Sequence, residues 1–340
     1  MTTTPTPRTG TLRVSGATLH YEWRGSGPVL LLIPGGAADA GVYDAMADAL
    51  ATRYTVVSYD PRPLSRSRLD GPLTDQRVAE WSDDVHRLLA LVSPDEPAYV
   101  FGSSSGAIVA LDLLARHPDR LRRVVAHEPP LVEALADPAP YRALFAEVRE
   151  VFRARGAAAA MARFAEATEP AAAAEAPEEP VATAEPTAPA PARAAAPEPA
   201  AATAPAPART AAPAPAPATA PAPARTAALA ELPPAVRAMA ERMHANMPVF
   251  LDRMLVPFTS VVPDTGALRR AAGRLVLAVG RDSRAQVPLA GPALRLAELL
   301  GAGLVEFPGG HVGAAEHPEA FADRLLAVLA DPAPAAPHPA

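Results

Sequence analysis

The sequence predicts an α/β protein with a mostly parallel sheet and helices on both of its faces. The first observation is a set of short, continuous apolar runs, each ending in glycine or polar residues, as expected of strands buried on both faces. The second is that helical patterns alternate with these runs, which is typical of a parallel sheet. The runs are 28–36, 54–60, 98–102, 122–130, 274–282 and 304–310, preceded by a predicted β-hairpin over 11–25.

Composition excludes several classes of protein. The chain has 340 residues, a formal net charge of -6 and no cysteine, so disulfides, thiolate zinc sites and a cysteine nucleophile are excluded. Its arginines are scattered and form no basic stripe, which argues against nucleic acid as a partner and leaves a small-molecule substrate. The apolar run Val29–Pro34 is too short to span a membrane, and the first residues lack a signal-peptide pattern, so we expect a cytoplasmic location. Oligomeric state is not readable from the sequence.

The alternation of strands and helices breaks off in the middle of the chain. We predict a core formed by 1–128 and 270–330, a helical cap over 129–269 and a disordered tail over 331–340. Within the cap, 168–226 consists almost entirely of Ala, Pro, Thr, Glu and Arg, and the decapeptide TAPAPARTAA occurs in it twice. Frequent proline prevents both helix and sheet from forming in this segment. Because the segment lacks bulky apolar side chains, burial cannot offset the entropy that would be lost on ordering it. We therefore expect 168–226 to be a disordered surface insertion.

A glycine-serine motif follows the run 98–102. Gly102-Ser103-Ser104-Ser105-Gly106 fits the pattern G-x-S-x-G at a junction of strand and helix, where a tight turn exposes the central serine. The positions two before and two after that serine must be very small. Ser104 has glycine at both, whereas Ser103 would place phenylalanine at one of them, and Ser105 fits less well than Ser104. We predict Ser104 as a nucleophile.

A serine hydroxyl needs a base at neutral pH. His311 follows the last predicted strand in the loop FPGGHVG, at the sheet edge where the carboxyl ends of the strands meet. We predict His311 as this base. His127 and His244 remain candidate pocket residues.

A base in such a pair is usually oriented by a carboxylate. Asp282 follows the strand segment LVLAVG and gives the chain order Ser, Asp, His. Glu128 follows another strand at the same sheet edge and is the rival. We prefer Asp282 and keep Glu128 as the alternative acid.

When a serine attacks a carbonyl group, the carbonyl oxygen becomes an oxyanion, which backbone N–H groups must bind. The residue after the nucleophile, Ser105, is predicted to supply one of them. The second is expected from the glycine-bearing loop after the run 28–33, with Gly36 preferred and Ala37 next.

Methionines recur at helical spacing in the second half of the cap. Met239, Met243 and Met247 stand at i, i+4 and i+8, followed by Phe250 and Met254. Such a stripe either lines a pocket adaptably or packs the cap onto the core, and we favour the packing interpretation.

Taken together, PGG, YDPRPLSRSR, GSSSG, GRDS and GGHVG resemble the α/β-hydrolase superfamily over about 1–128 and 270–330. The resemblance implies an eight-stranded, mostly parallel sheet, a Ser–His–acid triad and a variable cap. It implies an esterase-like serine hydrolase that acts on a small, largely apolar substrate through an acyl-enzyme, without metal or organic cofactor. The alternatives are a cofactor-free haloperoxidase or perhydrolase, a carbon–carbon hydrolase with the same triad, and a non-catalytic hydrolase-like binding module.

Overall fold

The computed structural model describes residues 7–168 and 233–330. The insertion predicted over 168–226 lies outside the described residues except for Thr168, and so does the tail predicted over 331–340. The strands are β1 (Arg8–Val14), β2 (Ala17–Arg24), β3 (Val29–Ile33), β4 (Thr55–Tyr59), β5 (Arg68–Leu69), β6 (Ala98–Ser103), β7 (Leu121–His127), β8 (Leu275–Gly280) and β9 (Gly303–Phe307).

The strands form one sheet in the order β1-β2-β4-β3-β6-β7-β8-β9, and the two-residue β5 pairs with β2. β1 and β2 form the predicted antiparallel hairpin, and β2 also runs antiparallel to β4. All other neighbours along the path are parallel. The prediction of an eight-stranded, mostly parallel sheet is therefore confirmed for the continuous path, with the short β5 as an addition.

Helices cover both faces of this sheet. Along β3, Leu31 and Ile33 pack into one apolar cluster and Leu30 and Leu32 into the other, because successive side chains of a strand point to opposite faces. The helices of the core are α1 (Asp44–Leu50), α2 (Val78–Val92), α3 (Ser105–Arg116), α9 (Gly291–Leu300), α10 (Gly313–Glu316) and α11 (Pro318–Ala330). The first cluster includes α2, α3 and α9, and the second includes α1 and α11.

The chain between β7 and β8 carries a second group of helices, which we call the cap helices. They are α4 (Ala139–Arg155), α5 (Ala157–Thr168), α6 (Pro234–Val249) and α7 (Leu255–Thr259), with α8 (Thr265–Arg270) leading back to the sheet. A separate apolar cluster holds them together, with Phe145 of α4, Ala160 of α5 and Leu255 of α7 among its buried members.

A π-helical turn, Phe250–Met254, joins α6 to α7, and the N–H of Leu255 donates to the carbonyl of Phe250. Pro248 lies inside α6 just before this turn. Proline has no N–H to donate and its ring disturbs the regular helix, so the change of pitch follows from the sequence. Among the described residues, no helix combines the length and the apolar character needed to cross a membrane.

Candidate active site

The turn between β6 and α3 holds Ser104 in a strained conformation. Its backbone has φ 54° and ψ -125°, a region that non-glycine residues rarely occupy. A β-carbon on Gly102 would lie 2.4 Å from the carbonyl oxygen of Gly106, and one on Gly106 would lie 2.2 Å from that of Ile33. The requirement for very small residues on both sides of the serine is therefore confirmed. The turn directs the Ser104 side chain into a cavity above the sheet edge.

Ser104 and His311 meet although they lie 207 residues apart in the chain. His311 is in the loop after β9, and its Nε2 lies 3.0 Å from Ser104 Oγ. This is a normal hydrogen-bond length for a hydroxyl that donates to an imidazole nitrogen. The predicted pair of serine and histidine is thus brought together.

The other side of the imidazole faces Glu128. His311 Nδ1 lies 2.7 Å from Glu128 Oε2, and this carboxylate is fully buried. An ionised carboxylate can only accept, so the proton of His311 resides on Nδ1, and Nε2 is free to accept from Ser104. The second oxygen, Glu128 Oε1, accepts from the backbone N–H of Gly280 at 2.7 Å and from the hydroxyl of Ser283.

These contacts keep Glu128 ionised in spite of its burial. Burial by itself raises the pKa of this carboxyl, but the hydrogen bonds from His311 and Ser283 and the nearby imidazoles outweigh it. The pKa of Glu128 therefore lies below its ordinary value of 4.5. A buried negative charge next to His311 stabilises the imidazolium that forms when the ring takes up a second proton.

Asp282 does not hold the histidine, and the preference for it over Glu128 is corrected by the structure. Asp282 is exposed, and its backbone N–H donates to the carbonyl of Gly309 at 3.0 Å. The end of β8 and the loop after it contribute the donors Gly280 and Ser283 to Glu128 rather than a carboxylate to His311.

The physical reason lies in strand order and in one backbone angle. β7 lies between β6, which leads to Ser104, and β8, so its end is next to Ser104. Glu128 follows β7 directly and has φ 46°, which turns the chain sharply at that position. Its backbone N–H donates to Ala278 of β8 at 2.9 Å, which anchors this turn. Chain order could not separate the two acids, because both lie between the serine and the histidine.

In the candidate oxyanion region, the expected second donor, the N–H of Gly36, is not free. The backbone N–H of Gly36 donates to the side-chain oxygen of Ser105 at 2.8 Å, so this amide already has a partner. Ala38 N–H donates to the carbonyl of Gly35 at 3.1 Å. Among the described residues, the N–H of Ala37 has no such partner, and Ala37 lines the cavity. Ser105 is the first residue of α3, where backbone N–H groups have no acceptor within the helix.

His127 does not belong to the cavity lining. It is fully buried beneath the turn, and its Nδ1 lies 3.2 Å from Ser103 Oγ. Burial lowers the pKa of His127 to about 4, although the charge of Glu128 raises it in part, so the ring is neutral at pH 7. Its backbone carbonyl accepts from the N–H of Ser104 at 2.9 Å. His127 thus supports the strained turn from below, and the other candidate, His244, is exposed on α6.

The cavity above Ser104 has a volume of about 310 Å³ and is lined mainly by apolar side chains. Core residues form its floor and cap helices form its walls. Among the lining residues that the structure describes, none is Asp, Glu or Arg. The cap contributes Phe145, Met161, Phe164, Met243, Met247, Phe250, Met254, Leu255, Phe258 and Thr259.

The methionine stripe has both predicted roles. Met243, Met247 and Met254 line the cavity, and Met254 also belongs to the buried core cluster. The contributions of Met161 and Phe164 from α5 were not predicted, because only the contact between α4 and α5 turns them toward the site. Within residues 7–168 and 233–330 there is no group of three or more His, Asp or Glu side chains arranged to hold a metal ion.

Comparison with known proteins agrees with this fold. The family described as alpha/beta hydrolase fold matches residues 28–175. The chain is 52% identical over 126 residues to an uncharacterized hydrolase, YraK, of Bacillus subtilis, a match that covers 37% of this chain and 46% of the relative. It is 32% identical over 122 residues to a zearalenone hydrolase of Bionectria ochroleuca, covering 34% of this chain and 45% of that protein.

Among solved structures, the enol-lactonase of Burkholderia xenovorans LB400 superimposes with a TM-score of 0.59. That comparison covers 95% of this chain and 100% of the other at 16% identity, and it shows the fold alone. The chain matches less than half the length of the two curated relatives, 46% and 45%.

Proposed function

Because this chain belongs to the α/β-hydrolase superfamily, we propose that it is a serine hydrolase that cleaves the carboxylic ester bond of a small, uncharged and largely apolar substrate. The single observation that carries this proposal is the continuous relay from Ser104 through His311 to the buried Glu128, with contacts of 3.0 and 2.7 Å. The reaction proceeds through an acyl-enzyme and uses no metal or organic cofactor.

In the first step His311 Nε2 takes the proton of Ser104 as Oγ attacks the ester carbonyl. The imidazolium then gives this proton to the departing alcohol. In the second step water attacks the acyl-enzyme, with His311 again as the base. Glu128 keeps the proton on Nδ1 and stabilises the imidazolium in both steps, and it takes no proton itself.

The oxyanion is bound by the backbone N–H groups of Ser105 and Ala37. Ser105 stands at the N-terminus of α3, where the helix dipole favours a developing negative charge. We assign the second donor to Ala37 rather than Gly36, because the Gly36 amide is already bound by the Ser105 side chain.

Substrate class follows from the lining of the cavity. Burying a charged group without an opposite charge is costly, and no Asp, Glu or Arg lines the cavity among the described residues. A volume of about 310 Å³ suits an apolar acyl or aryl group of moderate size. Esters with a free carboxylate are therefore poor substrates. Zearalenone belongs among the compounds to be tested, because a relative that is 32% identical over 122 residues is a zearalenone hydrolase.

The test is covalent labelling with a fluorophosphonate, followed by peptide mapping and an ester panel, on wild type and Ser104→Ala. We expect the adduct on Ser104 and the loss of both labelling and turnover in the variant. Ser103→Ala is the matched control, because it removes a neighbouring hydroxyl and should leave the adduct in place. A wild type that neither labels nor hydrolyses any ester would overturn the proposal and favour a non-catalytic binding role.

A further inference from the structure

One buried amide side chain joins the cap to the loop that carries the proposed oxyanion donor. Asn246 is on α6 and is 5% exposed. Its Nδ2 donates to the carbonyl of Ala37 at 2.9 Å and to Ser65 Oγ at 2.8 Å, and its Oδ1 accepts from the N–H of Ser65 at 2.9 Å. Asn246 is 209 residues away from Ala37 in the chain, so this contact exists only when the cap is docked on the core.

The two partners of Asn246, Ser65 and Ala37, both lie in loops outside regular secondary structure. Ser65 has φ 53°, a left-handed conformation that is unfavourable for serine. Ala37 follows Gly36, which has φ 59°, in a loop outside regular secondary structure. The amide uses two donor protons and its acceptor here, so its orientation is fully determined. A buried amide held in this way transmits the position of α6 to the loop.

A second polar contact fixes the cap at a neighbouring point. Arg242, one turn earlier on α6, forms an ion pair with Asp39, which is fully buried and also accepts from Ser65 Oγ at 2.8 Å. Asp39 accepts from the N–H of Gly41 at 2.9 Å as well. This pair holds α6 on the core, whereas Asn246 contacts the residue that supplies the oxyanion donor.

We propose that Asn246 is a positioning residue that completes the oxyanion-binding site when the cap docks. Its Nδ2 holds the carbonyl of Ala37 and thereby directs the N–H of the same residue toward the oxyanion. This inference rests on the proposed function and extends it, because it makes catalytic competence depend on the cap as well as on the core.

A defined kinetic signature follows. Asn246 does not line the cavity, so ground-state binding of an apolar substrate does not depend on it. The negative charge develops only in the tetrahedral intermediate and the transition states that flank it, not in the bound ester, and a misplaced donor therefore lowers kcat and leaves KM almost unchanged. Loss of a donor costs about 10²- to 10³-fold in kcat, and a donor that is displaced rather than removed should cost about 10- to 100-fold.

The experiment compares Asn246→Asp, Asn246→Leu and Arg242→Gln with wild type. Asn246→Asp keeps the shape but replaces the donor to Ala37 by an acceptor, and Asn246→Leu removes both functions. Arg242→Gln is the matched control, because it weakens the neighbouring cap contact without touching Ala37. Measurements are kcat and KM on a neutral p-nitrophenyl ester, the fluorophosphonate labelling rate, and the Ki of an alkyl trifluoromethyl ketone, whose adduct carries an oxyanion. Thermal unfolding reports whether each variant is folded.

We expect both Asn246 variants to lose about 10- to 100-fold in kcat and in ketone affinity, with KM within about threefold of wild type. Arg242→Gln should keep kcat within about twofold, because Arg242 pairs with Asp39 and does not contact Ala37. If the Asn246 variants keep wild-type kcat and ketone affinity, or if Arg242→Gln loses as much as they do, this inference is overturned and the proposed function stands. A wild type without labelling and turnover would overturn the proposed function and this inference together.

Discussion

Replacing Glu128 by glutamine tests the arrangement of the site most directly. In the native protein Oε1 accepts from Gly280 and Ser283, and Oε2 accepts from His311 Nδ1 at 2.7 Å. A glutamine would keep its oxygen toward the donors Gly280 and Ser283 and turn its NH₂ toward the imidazole. His311 Nδ1 would then have to accept, and the ring proton would move to Nε2. That tautomer cannot take the proton from Ser104.

The magnitude follows from the loss of the correct tautomer and of the buried charge. In other serine triads this change costs about 10⁴-fold in kcat, so we expect about 10³- to 10⁴-fold for Glu128→Gln. This loss corresponds to about 4 to 5.5 kcal/mol in activation free energy. The variant should remain folded, because glutamine has the same shape and leaves no uncompensated charge in the buried site.

The assay is kcat on a neutral p-nitrophenyl ester, with thermal unfolding as the control for folding. Asp282→Asn is the matched variant, because Asp282 is exposed and follows the neighbouring strand. We expect it to keep kcat within about twofold. Wild-type turnover in Glu128→Gln, or a large loss in Asp282→Asn alone, would refute the assignment of the acid.

Three further predictions concern the surroundings of the triad. Ser105→Ala removes the acceptor of the Gly36 amide and should lower kcat about fivefold, equivalent to about 1 kcal/mol, whereas a higher kcat would identify Gly36 as the oxyanion donor. Val312 lines the cavity and is 56% exposed. Val312→Arg should therefore raise kcat/KM about fivefold for an ester with a free carboxylate and not for its neutral analogue. Equal effects on both esters would contradict the charge argument. The pKa of His127 is lowered from 6.5 to about 4 in the folded protein, so the native state favours the neutral ring. Between pH 6.5 and pH 4 the unfolded chain binds a proton at His127 and the folded protein does not. The contribution of the neutral ring to stability is therefore complete above pH 6.5 and is lost as the pH falls to 4. Urea unfolding at pH 7 and pH 4 should therefore show a relative gain of about 3 kcal/mol for His127→Phe at the lower pH, and a difference between variant and wild type that does not change with pH would contradict it.

The buried strands and the turn at Ser104 were predictable because their signals are local. β3 and β8 are continuous apolar runs, and every residue in them is buried. The turn at Ser104 depends on Gly102 and Gly106, whose close contacts exclude any side chain. Such steric requirements appear directly in the residue types, and the position of His311 follows from the last strand.

The choice between Asp282 and Glu128 was not predictable in the same way. Both acids follow buried strands, and both stand between the serine and the histidine in the chain. The structure decides between them through the 46° φ angle of Glu128 and through the donors Gly280 and Ser283. Neither the backbone angle nor the position of these donors can be predicted from composition or spacing.

Sequence alone thus determined the α/β architecture and the positions of Ser104 and His311 at one edge of the sheet, because periodicity and steric exclusion act over a few neighbouring residues. Only the tertiary structure decided which carboxylate holds His311, which amide of the loop after β3 remains without a partner, and which residues of the cap close the cavity. Asn246 shows this most clearly, since its contact with Ala37 spans 209 residues. Such contacts depend on how distant elements pack, and packing is a property of the whole fold rather than of any local pattern.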